Sequence, residues 1–352
     1  VALSKCLASH PPKIDLSRPR LTVDRVFTMS GFGTVVTGTL LDGSLNVGDE
    51  VSLMPSNKTA RVRGLQTHKS KIDRAIPGSR VAINLSGVEV ADVARGDVVC
   101  YPNTLRPTSL IDVQFRHLKE SDSPLKHNTE VKFFVGASET VGSVRVLNGD
   151  ALAQGEIGFL QIALTQPIAV AKGDRFILRR PSPGATLGGG VVLDPYPPKR
   201  HKRNDPDMLN RLQTLLRGTP EEILLQAIDA LSPCLLADAV KKSGLELDVA
   251  TRAAASLTES GGILTLDKSL VISRAAINRF TNEMIDLVEV YHQTHPLKTG
   301  LAREELKSKI KQSPKIFNAL VQWWVSQNLL VESNAVVRRP AHQVKLTAQQ
   351  QS

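Results

Sequence analysis

The sequence predicts a multidomain protein of class β plus α: two small antiparallel β-barrels, then two three-helix units each closed by a β-hairpin. Three observations carry this prediction. Through roughly the first two hundred residues, short runs rich in Val, Ile and Thr alternate at period two between Gly/Asp turn signals. After Asn204 the hydrophobic period becomes helical. Beyond Thr219 a helix–helix–helix–hairpin pattern then occurs twice, offset by roughly 65 residues, the size of a small folding unit rather than a solenoid repeat.

Residues 1–18 read as a tether. Leu3, Leu7 and Ala8 close a short helix that His10-Pro11-Pro12 stops, and 15–20 run extended. The stretch 20–41 is two strands joined by a turn. Leu21, Val23 and Phe27 recur at period two, interrupted by Arg25, and 34–41 is dense in Val and Thr. Ser30-Gly31-Phe32-Gly33 supplies the turn glycines. No Lys-Ser or Lys-Thr follows them, which argues against a nucleotide-binding loop.

Turn signals at Asp42-Gly43, Val47-Gly48-Asp49, Pro77-Gly78 and Arg95-Gly96-Asp97 then mark out a first barrel over 19–104. Val81, Ile83 and Leu85 alternate with Ala82, Asn84 and Ser86, so one face is core and Arg80 lies with Asn84 on the other. Arg61 and Arg63 likewise flank Val62.

A second barrel is expected over 105–198. Ile111, Val113 and Phe115 alternate with Asp112, Gln114 and Arg116, and Val131, Phe133 and Val135 repeat the device. Gly188-Gly189-Gly190, between Leu187 and a Val-Val run, reads as a bulge or tight strand entry rather than a phosphate cradle. Residues 199–205, with Lys199, Arg200, Lys202 and Arg203, read as a solvated basic hinge after two prolines. The same cations are candidate phosphate contacts, and the two readings are compatible.

The first helical unit is placed at 206–273 and the second at 274–341. Thr219-Pro220-Glu221-Glu222 is a capping box with Pro at the first helical position. Helices at 235–243 and 248–260 and a hairpin turning at Asp267-Lys268 complete the first unit. Helices at 274–292, 302–311 and 314–327, with a hairpin turning at Ser333-Asn334, complete the second. This is the winged-helix layout, a helix-turn-helix with a β-wing. Lys311 and Lys315 are candidate RNA contacts but read more simply as a solvated face, and Trp323-Trp324 reads as core plus one partly exposed ring. Residues 342–352 read as the start of a further unit, because Thr347-Ala348-Gln349-Gln350 is again a capping box.

Composition narrows the function classes. The 352 residues carry a formal net charge of +10 and a pI near 9.6, a balance that favours a polyanionic partner, nucleic acid above all. No apolar run is long enough to span a membrane. Cys6, Cys100 and Cys234 are scattered and odd in number, which argues against a disulfide framework or zinc site and fits a reducing cytoplasm. Neither a metal-spaced His/Cys set nor a nucleophile-elbow pattern is found, so no enzymatic chemistry is expected of this chain alone.

The segments DRVFTMSGFGTVVTGTLLDGSLNVGDEV, RVRGLQTHK, PGSRVAINLSGV and TLGGGVVLDP together resemble the selenocysteine-specific elongation factors, the SelB family, over residues 18–345. The resemblance implies that the barrels are domains II and III of a translational GTPase. The GTP-binding domain, with its GTP and Mg cofactors, would precede residue 1, and further winged helices would follow Ser352. It implies as partners selenocysteinyl-tRNA, the ribosome and, through those last winged helices, a selenoprotein mRNA hairpin, for a cytoplasmic monomer that serves UGA recoding. It also places an aminoacyl pocket on the first barrel, at Asp24, Arg25 and Arg80, with His68 as a weaker candidate. Arg25 and Arg80 would face the selenolate, Asp24 would position the α-amino group or the arginines, and His68 would donate near the acceptor end. A selenol is more acidic than a thiol, whose pKa is about 8.5, so a cationic pocket favours it over neutral serine. By default an Arg on a strand is a solvated face, and adjacent Asp24 and Arg25 share one face only across a bulge. Two other readings stay open: a general elongation or initiation factor, and a winged-helix nucleic-acid-binding regulator.

Overall fold

The structure, a computed structural model, describes residues 15–29, 33–267, 269–333 and 335–344. Cys6, most of the N-terminal tether, turn residues 30–32, Lys268, Asn334 and the capping box at Thr347 lie outside them. The chain divides into two compact units, Val1–Leu216 and Arg217–Ser352.

In the first unit six strands close the first barrel: β1 (Arg20–Met29), β2 (Gly33–Leu41), β3 (Glu50–Met54), β4 (Lys58–Thr67), β5 (Arg80–Ser86) and β6 (Val98–Cys100). Their order is β3-β6-β1-β2-β5-β4, and β4 pairs back to β3. Alternation sends Leu21, Val23, Val36, Val62, Val81, Ile83 and Leu85 inward to one core. The β1–β2 register slips once: Val23 faces Gly38, Arg25 faces Thr37, and Asp24 is the extra residue of a β-bulge. Beyond the bulge the inward face changes parity. Val26 packs against the core and Phe27 is 38 % exposed, which overturns the reading of Phe27 in line with Leu21 and Val23. Gly38 makes this possible, because a Cβ there would overlap the Thr22 carbonyl oxygen and sit 2.7 Å from Leu21 Cδ2.

The second barrel is built from β7 (Thr108–His117), β8 (Glu130–Val135), β9 (Ser138–Val146), β10 (Ile157–Ile168), β11 (Arg175–Arg180) and β12 (Ala185–Asp194). They close in the order β7-β10-β9-β8-β11-β12. Ile111, Val113, Phe115, Val131, Phe133 and Val192 fill it, with Phe133 and Phe176 stacked at 5.0 Å. The triple glycine lies inside β12, opposite Phe115, Arg116 and His117 of β7, and just after a register slip against β11. A Cβ on Gly190 would overlap the Gln114 carbonyl, so this glycine is required by the close approach of β7. Arg20 joins the two barrels: its guanidinium bonds Asp42 at the end of β2 and, at 2.7 Å, Asp174 in the turn before β11.

Residues 199–205 differ from the expected solvated hinge. His201 is buried; its Nε2 meets Asp112 Oδ2 at 2.7 Å and its amide donates to Gln161 Oε1 at 3.0 Å. Gln161 Nε2 donates to Asp112 Oδ1 at 2.8 Å and to the Lys199 carbonyl at 3.2 Å. Helix α1 (Pro206–Arg217) then packs Met208 and Leu212 on Leu147 and Leu193 of this barrel. It therefore belongs to the barrel unit through Leu216, and not to the first winged helix as the 206–273 boundary supposed. Asp112 occupies an outward position of β7 yet is fully buried, because segment 199–211 covers it.

In the second unit α2 (Pro220–Leu231) starts on a reciprocal capping box between Thr219 and Glu222. Helices α3 (Leu236–Ser243) and α4 (Leu247–Glu259) follow, with Gly244 left-handed at φ 70° between them. The wing is β13 (Ile263–Asp267) with β14 (Leu270–Ser273). The pattern repeats as α5 (Arg274–Thr294), α6 (Arg303–Ile310), α7 (Pro314–Ser326) and a wing of β15 (Val331–Ser333) and β16 (Val336–Arg338). Trp324 is fully buried with Nε1 donating to Thr281 at 2.9 Å, while Trp323 is partly exposed. Among the described residues no helix is long and apolar enough to cross a membrane. Cys100 and Cys234 are buried free thiols.

Candidate functional site

The bulge in β1 organises the outer face of the first barrel. Along Val23, Asp24, Arg25, Val26 and Phe27 the side chains run in, out, out, in, out. Two consecutive polar residues therefore share the outer face, which regular pleating forbids. Asp24 reaches across β2 to β5: Arg80 Nη1 donates to Asp24 Oδ2 at 2.6 Å and Nη2 to Oδ1 at 3.1 Å. This is the parallel two-bond geometry of a guanidinium on a carboxylate. Thr37 Oγ1 adds a third bond to Asp24 Oδ1 at 2.7 Å. These bonds, Arg80's first, together with the charges of Arg80 and Arg25, hold the Asp24 carboxyl below its ordinary pKa against the opposing effect of partial burial. The pairing likewise pushes Arg80 up.

Arg25 is different. It is exposed and, among the described residues, has neither an ion pair nor a side-chain hydrogen bond. Arg80 keeps three of its five N–H donors unused by Asp24. The patch is an open shelf and not a closed pocket, since the Arg80 side chain is 58 % exposed and that of Asp24 28 %.

His68 sits in the turn after β4 with a left-handed backbone, φ 49°, followed by Lys69 at φ 65°. Thr67 Oγ1 donates to the Arg80 carbonyl at 2.9 Å and lies 3.2 Å from His68 Nδ1. With the hydroxyl proton directed to that carbonyl, Nδ1 is the donor in its bond to Thr67, which leaves Nε2 for any contact with a ligand. His68 thus stands two hydrogen bonds from the Arg80 backbone.

The basic candidates of 199–205 belong to the second barrel. Lys199, Arg200 and Lys202 are exposed, whereas Arg203 is half-buried and bonded to Asp150. Their positions are set by the His201–Asp112–Gln161 network, in which burial pushes the Asp112 carboxyl up while His201 opposes the shift. Arg211 lies within 3.8 Å of Asp112 and bonds Asp194.

Sequence reasoning missed Thr37, Thr67 and this network. Thr37 and Thr67 occupy ordinary strand positions, and Asp112 follows the pattern of a solvated outward residue. His201, next to four cations, was hidden by their charge. The spacing of Asp24 and Arg25 did carry a signal, because both could line one site only across a bulge.

Among family models, "Elongation factor Tu domain 2" matches residues 33–100 and "Selenocysteine-specific elongation factor, beta-barrel domain" matches 112–199. "Elongation factor SelB, winged helix" matches 285–338. The chain is 34 % identical over 343 residues to a selenocysteine-specific elongation factor of Desulfomicrobium baculatum, covering 94 % of this chain and 53 % of that protein. It is 27 % identical to that of Haemophilus influenzae (98 % and 55 %) and 31 % identical to that of Escherichia coli (82 % and 44 %). The chain thus spans about half the length of the curated relatives it matches. Two closed six-stranded barrels, a winged helix and relatives of one name across nearly all of its length place this chain in the selenocysteine-specific elongation factor (SelB) family.

Proposed function

We propose that this chain binds selenocysteinyl-tRNA for delivery to the ribosome at UGA codons, with the aminoacyl end on the shelf of Asp24, Arg25, Arg80 and His68. The observation that supports this reading most is the bulge, which turns to one face a bonded Asp24–Arg80 pair and an Arg25 that has no partner among the described residues. In this reading Arg25 is the main contact of the selenolate, since its charge is not already paired. Arg80 adds its remaining N–H donors. Asp24 accepts three hydrogen bonds and keeps one lone-pair site, which suits the α-ammonium group. His68, linked through Thr67 to the Arg80 carbonyl, would stand toward the acceptor end of the tRNA.

Discrimination follows from charge. The selenolate satisfies the guanidinium donors when the tRNA end covers them, whereas serine leaves them short of an anionic acceptor. The GTP and Mg of the family would be held by a domain outside these residues. The glycine run that could suggest a phosphate cradle here, Gly188 to Gly190, is occupied by strand pairing with β7. The mRNA hairpin would be a partner of further winged helices, with the two present serving as a spacer, in a cytoplasmic monomer.

Equilibrium binding of the 352-residue chain to seryl- and selenocysteinyl-forms of the same tRNA tests the proposal. Tighter binding of the selenocysteinyl form is expected, with the preference shrinking as pH falls and the selenol is protonated. Equal affinity at neutral pH contradicts it.

A further inference from the structure

We propose that the second barrel carries an oxyanion site made by His127, Arg145 and Arg203, which takes a phosphate group. On the tRNA-binding reading above, on which this assignment of the ligand rests, that group is a backbone phosphate of RNA.

Three segments bring the residues together. The Asn128 amide donates to the Val144 carbonyl at 2.7 Å and the Val144 amide to the Thr129 carbonyl at 3.0 Å, which lays 127–129 along β9. The Asn204 amide donates to the Leu147 carbonyl at 2.8 Å and Asn204 Oδ1 accepts from the Gly149 amide at 2.7 Å, which lays 203–204 along the end of the same strand. Arg145 lies between them in β9. Its neighbours Val144 and Val146 are buried in the barrel, so Arg145 projects from the outer face.

The three side chains share one unusual property. Among the described residues, His127 Nδ1, Arg145 Nε and Arg203 Nε are each shut off from water and have no hydrogen-bond partner. Buried polar atoms are nearly always bonded, so three at one place call for a missing acceptor. Asp150, the only carboxylate bonded there among the described residues, holds Arg203 alone, and its side chain is 93 % exposed. Arg145 has no hydrogen bond or ion pair among the described residues. Burial, then the charges of Arg203 and Arg145, push the His127 pKa down, so the three side chains by themselves are electrostatically frustrated.

An oxyanion relieves both conditions. Guanidinium forks match phosphate oxygens, and donors arriving from three segments suit a tetrahedral acceptor better than a planar carboxylate. Lys199, Arg200 and Lys202 are exposed on the segment that supplies Arg203 and would attract a polyanion without fixing it.

The first arm of the test uses inorganic phosphate. The His127 ring proton is followed by NMR against pH in the 352-residue chain, assigned with His127→Asn, in phosphate and in chloride at equal ionic strength. Phosphate is expected to raise the His127 midpoint by about one unit, and Arg145→Gln to abolish the rise. Equal midpoints in both buffers overturn the site. Should Arg145→Gln lose the native circular dichroism spectrum, Arg145→Lys replaces it; there the rise is expected to shrink, and an undiminished rise counts against Arg145.

The second arm measures the salt dependence of tRNA affinity. Arg145→Gln and Arg203→Gln are each expected to reduce the slope of log K against log salt by about 0.9 without changing the ratio of seryl to selenocysteinyl affinity. A phosphate response with an unchanged RNA slope overturns the RNA assignment and makes the site one for free phosphate. Absence of any tRNA binding by the unaltered chain contradicts the proposed function instead, and the phosphate arm still decides whether the site exists.

Discussion

Replacing Arg20 by Ala should destabilise the barrel unit by about 3 kcal/mol, near the lower end of the cost of breaking a buried pair. Arg20 bonds Asp42 through Nε and Asp174 through both terminal nitrogens. Its side chain is 14 % exposed, that of Asp174 11 % and that of Asp42 25 %. Net hydrogen bonds to charged groups are worth about 1.5–3 kcal/mol each, but Asp42 can rehydrate and recover most of its share. Asp174 cannot, although one of its oxygens keeps the Ala171 amide at 2.9 Å. The residual cost is therefore dominated by one carboxylate left uncompensated between the barrels. Urea unfolding of the 352-residue chain, followed by a probe in the barrels, measures it. The midpoint should fall with little change in slope, and Asp174→Asn in the Arg20→Ala background should restore about 1 kcal/mol by removing the stranded charge. A loss below about 0.5 kcal/mol, the range of an ordinary surface substitution, would refute the view that this guanidinium clamps the barrels.

Two further predictions concern the shelf. The Asp24 carboxyl should titrate below the ordinary aspartate value of about 3.9, and Arg80→Ala should move it up, because the Arg80 bonds are the largest cause of its depression. Since the folded pKa is the lower one, the stability Asp24 contributes is present above the unfolded pKa and is lost as pH falls through the folded value. A carboxyl carbon titration unchanged by Arg80→Ala contradicts this. Gly38→Val should cost at least about 1–3 kcal/mol and distort the bulge, since its Cβ would overlap the Thr22 carbonyl and no rotamer moves that backbone oxygen away. An unaltered urea midpoint together with unaltered tRNA discrimination would show that the bulge does not depend on Gly38.

How much of this was legible beforehand depended on whether a residue's role was local. The barrels and wings followed from alternation and turn residues, because Val81, Ile83 and Leu85 reach the core by pleating alone. The capping box at Thr219 was equally local. Phe27 was misread, since one inserted residue upstream reverses every later side chain, and a bulge leaves no mark in residue type. In segment 199–205 the solvated reading holds for Lys199, Arg200 and Lys202 and fails at His201, for a different reason. The segment's cations signalled solvent, but His201 finds Asp112 some ninety positions away, a tertiary pairing that no local pattern encodes. Helix α1 was assigned to the wrong unit because its apolar face looks the same whichever surface it covers. At the shelf, Asp24, Arg25, Arg80 and His68 were named through family resemblance. The two-bond pairing of Asp24 with Arg80, the lack of a bonded partner for Arg25 among the described residues and the part of Thr37 required the structure.

If the charge of the shelf reads the selenolate, as proposed, the affinity ratio for seryl- against selenocysteinyl-tRNA in Arg25→Ala shows it most directly. One charge-assisted contact is worth about 1.5–3 kcal/mol. The selenocysteinyl form should therefore lose about tenfold or more in affinity, while the seryl form changes little. Arg80→Ala should lose less than Arg25→Ala, because part of its charge is already spent on Asp24. Equal losses for both tRNAs would make Arg25 a general phosphate contact and contradict the claim.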